Sequence, residues 1–217
     1  MSLDSRFTLG PRDNEILDAL TIRVRLFSVA QIARTWWAGT ADPEANARER
    51  LKQLDRAGLV TRFVLMSRPE LELEAPVLVW EPGQETPDLG SVSYKLQSRF
   101  SAALEKTPCV VATARAATKF GGHGGKLPKN AEQTHDVHVA AMFLRYRGLN
   151  PDLVRHWISE EVIKRTRPKV KGDKLPDAMI RTGSYERVIE FGGEYGKDKL
   201  TAFHDYCVKK NLPYELW

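Results

Sequence analysis

The sequence contains few cysteines and no long apolar run, and these absences exclude several classes of protein. Among 217 residues only Cys109 and Cys207 are cysteines, too few for a disulfide framework or a zinc site built from cysteine alone. No stretch approaches the roughly 18 apolar residues that a membrane-spanning helix needs. The first residues, MSLDSRFTLGPRD, lack the apolar core of a signal peptide. We therefore expect a reduced, cytoplasmic protein.

The remaining composition is that of an ordinary globular protein, with 42% apolar residues, 28% charged residues and a mean hydropathy of -0.40. A chain of this length forms one large or two small domains. The net charge of +5 is unevenly distributed along it. Residues 1–100 contain 13 basic and 14 acidic side chains, whereas residues 101–217 contain 20 basic and 14 acidic ones. The second half of the chain is therefore predicted to meet a polyanion such as DNA.

The densest cationic segment is residues 164–174, KRTRPKVKGDK, with six basic residues and one acidic residue. Such a run can release counterions from a nucleic-acid backbone, and it is also typical of a solvated loop. We predict that it contacts DNA. The residues expected to do so are Lys164, Arg165, Arg167, Lys169 and Lys171.

Three helices and a hairpin are predicted in the first hundred residues. Apolar residues recur at helical spacing from 12 to 20 and again after Ser28, a good N-cap. Asp42 and Pro43 predict the start of a third helix and Gly58 predicts its end, with Ala47, Leu51 and Leu54 on its buried face. Two β-prone runs, 59–66 and 76–80, flank a polar turn and predict a two-stranded hairpin.

This order resembles a winged helix, and the segment ERLKQLDRAGLVTRF (residues 49–63) carries the resemblance best. In that family the third helix enters the major groove of DNA and the wing contacts the backbone. The DNA contacts implied by the resemblance are Asn46, Arg48, Lys52, Gln53, Arg56, Arg62 and Arg68. Glu49 on the helix and three glutamates at 70, 72 and 74 favour an alternative, a protein-docking adaptor without nucleic acid. Trp36 and Trp37 are predicted to be core or subunit contacts.

The middle of the chain predicts two helices and a glycine-rich loop. A helix over 91–104 would either mediate a homodimer or bridge domains, and its pattern fits both. The segment 120–126 lacks the GxxxxGK(S/T) spacing of a phosphate-binding loop and predicts a flexible connection. A largely apolar helix over 130–147 has His135, Asp136 and His138 near its start. Two histidines without an HExxH pattern are weak evidence for a metal site, so we expect a buried polar network or a cleft there.

The last sixty residues resemble the core of the PD-(D/E)XK nucleases. The pattern predicts strands over 175–180 and 185–191 around a turn at Gly183, then a helix over 197–210 and a strand over 214–217. Antiparallel pairing would bring the carboxylates of Asp177 and Glu190, thirteen residues apart, to one end of the sheet. In that family such a pair binds Mg²⁺, which activates water and neutralises charge on the phosphate.

The chain departs from that motif at one position. The lysine normally found two residues after the glutamate is Gly192 here, so Lys197 or Lys199 of the next helix would have to replace it. A third carboxylate could come from Glu194, Glu160, Glu161 or Asp136. Three alternatives therefore stay open: a metal-dependent DNA endonuclease with Mg²⁺, a degenerate core that binds DNA or protein, and a purely structural pair of acids.

The chain as a whole resembles the replication-relaxation family of plasmids and other mobile elements. The shared features are the winged helix, the THDVH segment at 134–138, a Leu-Pro-Asp strand and a Val-Ile-Glu-Phe strand. The resemblance implies an α+β or α/β fold: a winged helix-turn-helix in residues 1–104, and a nuclease-like mixed sheet flanked by helices in residues 105–217. It also implies double-stranded DNA as the partner and a role in plasmid replication, relaxation or mobilisation.

Overall fold

The computed structural model describes residues 7–167 and 174–217. The elements in chain order are α1 (Pro11–Asp18), a π-helical turn (Ala19–Arg23), β1 (Leu26–Ser28), α2 (Val29–Trp36), α3 (Pro43–Arg56), β2 (Val60–Ser67), β3 (Leu78–Trp80), α4 (Leu89–Ser98), β4 (Glu105–Ala112), α5 (Ala114–Phe120), a 3₁₀ turn (Asn130–Glu132), α6 (Gln133–Leu149), a 3₁₀ turn (Leu153–His156), β5 (Trp157–Ser159), α7 (Glu160–Thr166), β6 (Ala178–Thr182), β7 (Tyr185–Glu190), α8 (Lys197–Lys210) and β8 (Tyr214–Leu216). None of the described helices combines the length and the apolar character needed to cross a bilayer.

The chain divides into two compact units, and neither is a continuous stretch of sequence. Unit 1 comprises Met1–Ser67 and Leu104–Ala140, and unit 2 comprises Arg68–Ala103 and Ala141–Trp217. The sequence predicts one boundary after residue 104, whereas the chain passes between the units three times. The difference arises because β4 completes the sheet of unit 1, while α4 packs against α8 in unit 2.

Local capping signals place the helices of unit 1 as predicted. The Ser28 hydroxyl accepts from the Gln31 amide, and the Gln31 side chain accepts in return from the Ser28 amide, which forms a capping box for α2. The Asp42 carboxylate accepts from the Ala45 amide ahead of α3. Gly58, with a φ of 68°, follows the end of α3. Trp36 and Trp37 are buried, as expected for core residues.

The predicted hairpin between 59–66 and 76–80 is wrong. β2 pairs antiparallel along its whole length with β4, which is the central strand of the order β1-β4-β2. β3, at the end of the other run, pairs with β8 in unit 2. The eight residues of β2 match the eight of β4, and this pairing buries Leu65 against Cys109 and Val111. A three-residue β3 could not satisfy the ladder of β2.

The glycine-rich segment 120–126 is packed against backbone. A Cβ atom at Gly122 would lie 2.2 Å from the Thr21 carbonyl oxygen, and one at Gly124 would lie 2.5 Å from the Thr113 carbonyl oxygen. The His123 amide donates to the same Thr21 oxygen at 2.6 Å. These glycines therefore permit a close approach of two main chains.

Unit 2 is built on a five-stranded mixed sheet in the order β3-β8-β7-β6-β5. β7 and β8 are parallel, and the other neighbours are antiparallel. Helix α8 spans the residues predicted for it, and its buried Leu200, Phe203 and Cys207 join Leu96 of α4 in one apolar cluster. The structure therefore has the mixed α and β character expected from the sequence, with one antiparallel and one mixed sheet.

Candidate functional site

The two predicted acidic residues of unit 2 lie side by side where β6 begins and β7 ends. Ala178 is paired with Ile189, so Asp177 and Glu190 occupy the next positions of the same antiparallel register. Oε2 of Glu190 accepts from the Asp177 amide at 3.2 Å, and Oδ2 of Asp177 accepts from the Phe191 amide at 2.8 Å. The predicted antiparallel pairing across the Gly183 turn therefore brings the two residues together.

Glu190 is the more buried member of this pair, with 6% of its surface exposed. The Tyr195 hydroxyl donates to its Oε1 at 2.8 Å. Burial raises the pKa of Tyr195, and the negative charges of Glu190 and Asp177 raise that pKa further. The pKa of Cys207 is raised by burial and then by Glu190. Tyr195 is a member of this site that the sequence analysis missed, although it lies only five residues after Glu190.

Lys199 is the lysine that the fold brings to this cluster. Its ammonium lies 3.5 Å from the centre of the Tyr195 ring. Partial burial lowers the pKa of Lys199 and the charge of Lys174 lowers it too, whereas Glu190 and Asp177 act in the opposite direction. Lys197 is the exposed first residue of α8, and none of the described contacts connects its ammonium to the pair.

At position 192, where the nuclease pattern expected from the sequence has a lysine, the structure leaves little room for a side chain. Gly192 is buried, and a Cβ atom there would lie 2.6 Å from Cδ1 and 2.9 Å from Cδ2 of Leu96. Leu96 is itself fully buried in the core of unit 2. A lysine at position 192 would therefore have to displace a packed leucine.

The other carboxylates considered for this site have separate partners. Glu194 pairs with Arg68 at 3.1 Å, and Glu160 lies 3.8 Å from Lys164. The Glu160 amide donates to the Asp177 carbonyl at 3.0 Å, so the backbone of Glu160 lies next to the pair. Asp136 belongs to unit 1, where it pairs with Arg25 at 2.8 Å. Glu161 is half-buried on α7.

Within the described ranges no group of three or more His, Cys, Asp or Glu could hold a metal ion. Two carboxylates are nevertheless the donor set that suits Mg²⁺, which keeps several of its waters when it binds proteins. Three of the four carboxylate oxygens of Asp177 and Glu190 already accept hydrogen bonds, and the two acids do not form an all-protein cage for a cation.

The histidine segment of unit 1 forms a polar network. Asp136 and Glu132 both pair with Arg25, at 2.8 and 2.6 Å. His138 is fully buried, and its Nδ1 lies 2.7 Å from the Thr134 carbonyl oxygen. This arrangement agrees with the predicted buried network.

The predicted DNA-reading face of α3 is exposed but partly neutralised by acids. Arg48 pairs with Glu44, and Lys52 lies 3.9 Å from Glu49. Gln53 accepts from Arg50 at 2.6 Å, Asn46 donates to Thr40 at 3.1 Å, and Arg62 on β2 pairs with Asp55 at 3.1 Å. Arg56 is exposed and has no acidic partner among the described residues. Ala47, Leu51 and Leu54 are buried, as predicted.

The remaining predicted DNA contacts lie in unit 2. Arg68 was expected on a wing, but it donates to the Ala102 carbonyl at 2.6 Å and pairs with Glu194, so the wing assignment is wrong. Arg167 pairs with Glu186 at 2.9 Å, and Arg165 is exposed. Lys169 and Lys171 lie outside the described residues.

Arg99 is a partly buried cation of unit 2 that the sequence analysis did not single out. Its guanidinium lies 5.9 Å from the ring centre of Phe191, the residue after Glu190. Its Nε and Nη2 atoms are buried and have no hydrogen-bond partner in the part of the chain that the structure describes. Burial lowers the pKa of Arg99. Unit 2 therefore holds a partly desolvated positive charge on Arg99.

The two units divide the net positive charge differently from the two halves of the sequence. Unit 1 contains 15 Lys and Arg against 11 Asp and Glu, a net charge of +4. Unit 2 contains 18 against 17, a net charge of +1. Five cations of unit 1 that the sequence analysis did not single out lie between residues 106 and 131, and the absence of any acid in that segment is the signal that could have found them.

No protein-family model, no curated protein and no solved structure matches this chain.

Proposed function

We propose that this chain is a protein that binds double-stranded DNA and that unit 1 is a winged helix. The observation that carries the proposal is the connectivity of unit 1: α1, β1, α2, α3, β2 and β4, with β1 paired to the last strand. Helices α2 and α3 pack on each other as a helix-turn-helix pair, and β2 and β4 take the place of the wing strands. The segment 68–103 between those strands belongs to unit 2.

The charge of unit 1 supports a polyanionic ligand. A net charge of +4 attracts DNA before any specific contact forms. The ion pair between Arg48 and Glu44 is about half exposed, and an exposed pair of this kind contributes only about 0–1 kcal/mol. Arg48 can therefore exchange Glu44 for a phosphate, at a cost of up to about 1 kcal/mol for the broken ion pair. Asn46 and Gln53 supply the amides that suit adenine edges.

The connectivity of unit 2 supports a PD-(D/E)XK-like domain. After β3 and α4, its order is the end of α6, β5, α7, β6, β7, α8 and β8, with the last strand parallel to β7. Asp177 immediately precedes β6, and Glu190 is the last residue of the neighbouring strand β7. Replication, relaxation or mobilisation of a plasmid or another mobile element is the proposed process, and it follows from the sequence resemblance alone.

DNA binding is tested by fluorescence anisotropy with a labelled duplex across a series of salt concentrations. We expect affinity to fall steeply with salt, and an Arg48→Ala/Arg56→Ala variant to bind more weakly because each lost phosphate contact removes about 0.9 from the salt slope. A Lys95→Ala/Lys209→Ala variant makes the same change of charge on exposed residues of unit 2 and serves as the matched control. Failure of the wild-type chain to bind any duplex at low salt would refute the proposal.

A second candidate function is a metal-dependent DNA endonuclease. The adjacency of Asp177 and Glu190, with Lys199 beside Tyr195, favours it. Bound Mg²⁺ would supply an activated water and charge neutralisation at the phosphate. Asp177 and Glu190 would hold the ion, and Lys199 would supply the positive charge that position 192 lacks.

The endonuclease candidate is tested by nicking of supercoiled plasmid in Mg²⁺ or Mn²⁺. Asp177→Asn keeps an oxygen that can accept from the Phe191 amide. This variant should abolish nicking while duplex binding persists. Equal nicking by the variant would refute the assignment.

A further inference from the structure

The segment from residue 106 to residue 131 contains five basic residues and no acidic residue. The five are Lys106, Arg115, Lys119, Lys126 and Lys129, and all of them are exposed. Among the described residues only Lys129 has an acidic partner, Glu132 at 3.9 Å. The face of α3 differs, because Arg48 and Lys52 there are opposed by glutamates.

Helix α5 brings part of this charge to the end of α3. The Arg115 guanidinium donates to the Ala57 carbonyl at 3.2 Å, and its Nη1 lies 3.7 Å from the Cβ position of Gly58. Arg56, the exposed last residue of α3, immediately precedes Ala57. Lys119 follows Arg115 by four residues on α5 and therefore lies on the same face of that helix.

The glycine-rich segment that follows α5 returns to the start of the same helix. The Gly125 amide donates to the Ala112 carbonyl at 2.7 Å, and its Cβ position lies 3.5 Å from the Ala114 nitrogen. Lys126 is the next residue. These contacts hold the main chain just before Lys126 close to α5. Less backbone entropy is therefore lost when Lys126 binds a ligand.

We propose that the α5 surface, defined as Arg56, Arg115, Lys119 and Lys126, binds backbone phosphates of duplex DNA and supplies more of the affinity than the ion-paired cations of α3. This inference rests on the proposed DNA binding of unit 1. Cations without acidic neighbours release counterions from DNA without first breaking an ion pair. Phe120 is the single Phe, Tyr or Trp between residues 106 and 131, so this segment offers little for stacking of unpaired bases, and duplex DNA is the better fit.

The variant Lys119→Ala/Lys126→Ala tests this surface with little risk to folding, since neither side chain has a hydrogen bond or ion pair among the described residues. Two phosphate contacts contribute a factor of about 60 at 0.1 M salt when the slope is about 0.9 per contact. We therefore expect up to about 60-fold weaker duplex binding and a salt slope smaller by about 1.8. Arg48→Ala/Lys52→Ala, with the same change of charge, should lose less affinity.

The outcomes separate this inference from the proposed function. If the wild-type chain fails to bind duplex DNA at 50 mM salt, DNA binding itself is refuted. If the wild type binds and Lys119→Ala/Lys126→Ala matches the Lys95→Ala/Lys209→Ala control in affinity and slope, the α5 surface alone is refuted. Single-stranded DNA of the same length serves as a competitor, and preferential binding of the single strand would also overturn the proposal.

Discussion

Replacement of Gly192 by alanine tests whether the core of unit 2 has room for a side chain at this position. The φ of Gly192 is not positive, so backbone conformation carries no penalty there. The new Cβ would lie 2.6 Å from Cδ1 of Leu96 and 3.2 Å from Cδ1 of Leu216, both in a closed core. Overpacking of this kind costs about 1–3 kcal/mol. We expect the free energy of unfolding, measured by urea denaturation, to fall by that amount.

A double-mutant cycle assigns the cost to Leu96. Leu96→Val removes the two clashing Cδ atoms and alone should cost about 1 kcal/mol through the cavity it leaves. The pair Gly192→Ala/Leu96→Val should be more stable than the sum of the single effects by about 1 kcal/mol or more. Gly148→Ala is the control, because no atom lies within 4 Å of its Cβ position. An unchanged stability of Gly192→Ala, or strict additivity in the cycle, would refute the steric explanation.

Three further predictions concern stability and thiol reactivity. Ser28→Ala should cost about 1 kcal/mol in urea denaturation, because it removes the N-cap of α2; no change would contradict the role of the capping box. Burial raises the pKa of Glu132, but the ion pair with Arg25 lowers that pKa by a larger amount, so the net pKa is depressed. The free energy of unfolding should therefore fall as the pH drops from about 4.3 through the lower folded pKa. This fall should be smaller in Arg25→Gln. Burial raises the pKa of Cys109 to about 12 and also raises the pKa of Cys207. Neither thiol should therefore react with a disulfide reagent at pH 8 until the chain unfolds. Rapid labelling of the native protein would refute this prediction.

Local signals in the sequence located the elements well, whereas long-range pairing did not follow from them. Ser28, Asp42 and Gly58 act within a few residues of themselves, so the ends of α2 and α3 were predictable. The partner of β2 is β4, which lies beyond β3 and α4 in the chain. The local sequence pattern does not show which of the later strands pairs with β2. Helix α5 has only seven residues, too few to show a helical period.

The same distinction applies to the candidate site. Asp177 and Glu190 face each other across a short hairpin, so their proximity followed from the turn at Gly183. The position of Lys199 depends on how α8 packs, which the sequence does not encode locally, whereas Tyr195 lies only five residues after Glu190. The pairing of Arg48 with Glu44 follows the spacing of four residues on a helix and was within reach of the sequence analysis.

The position of residues 68–103 between β2 and β4 has a consequence for how the chain is synthesised. The sheet of unit 1 cannot close until β4 has left the ribosome, and by then β3 and α4 have already emerged without their partners. Leu78 of β3 pairs with Leu216 of β8, so the edge of β3 stays unpaired while all the elements between the two strands are made. An unpaired strand edge is a template for pairing with other chains. This edge is therefore a part of the nascent chain that a chaperone would have to protect.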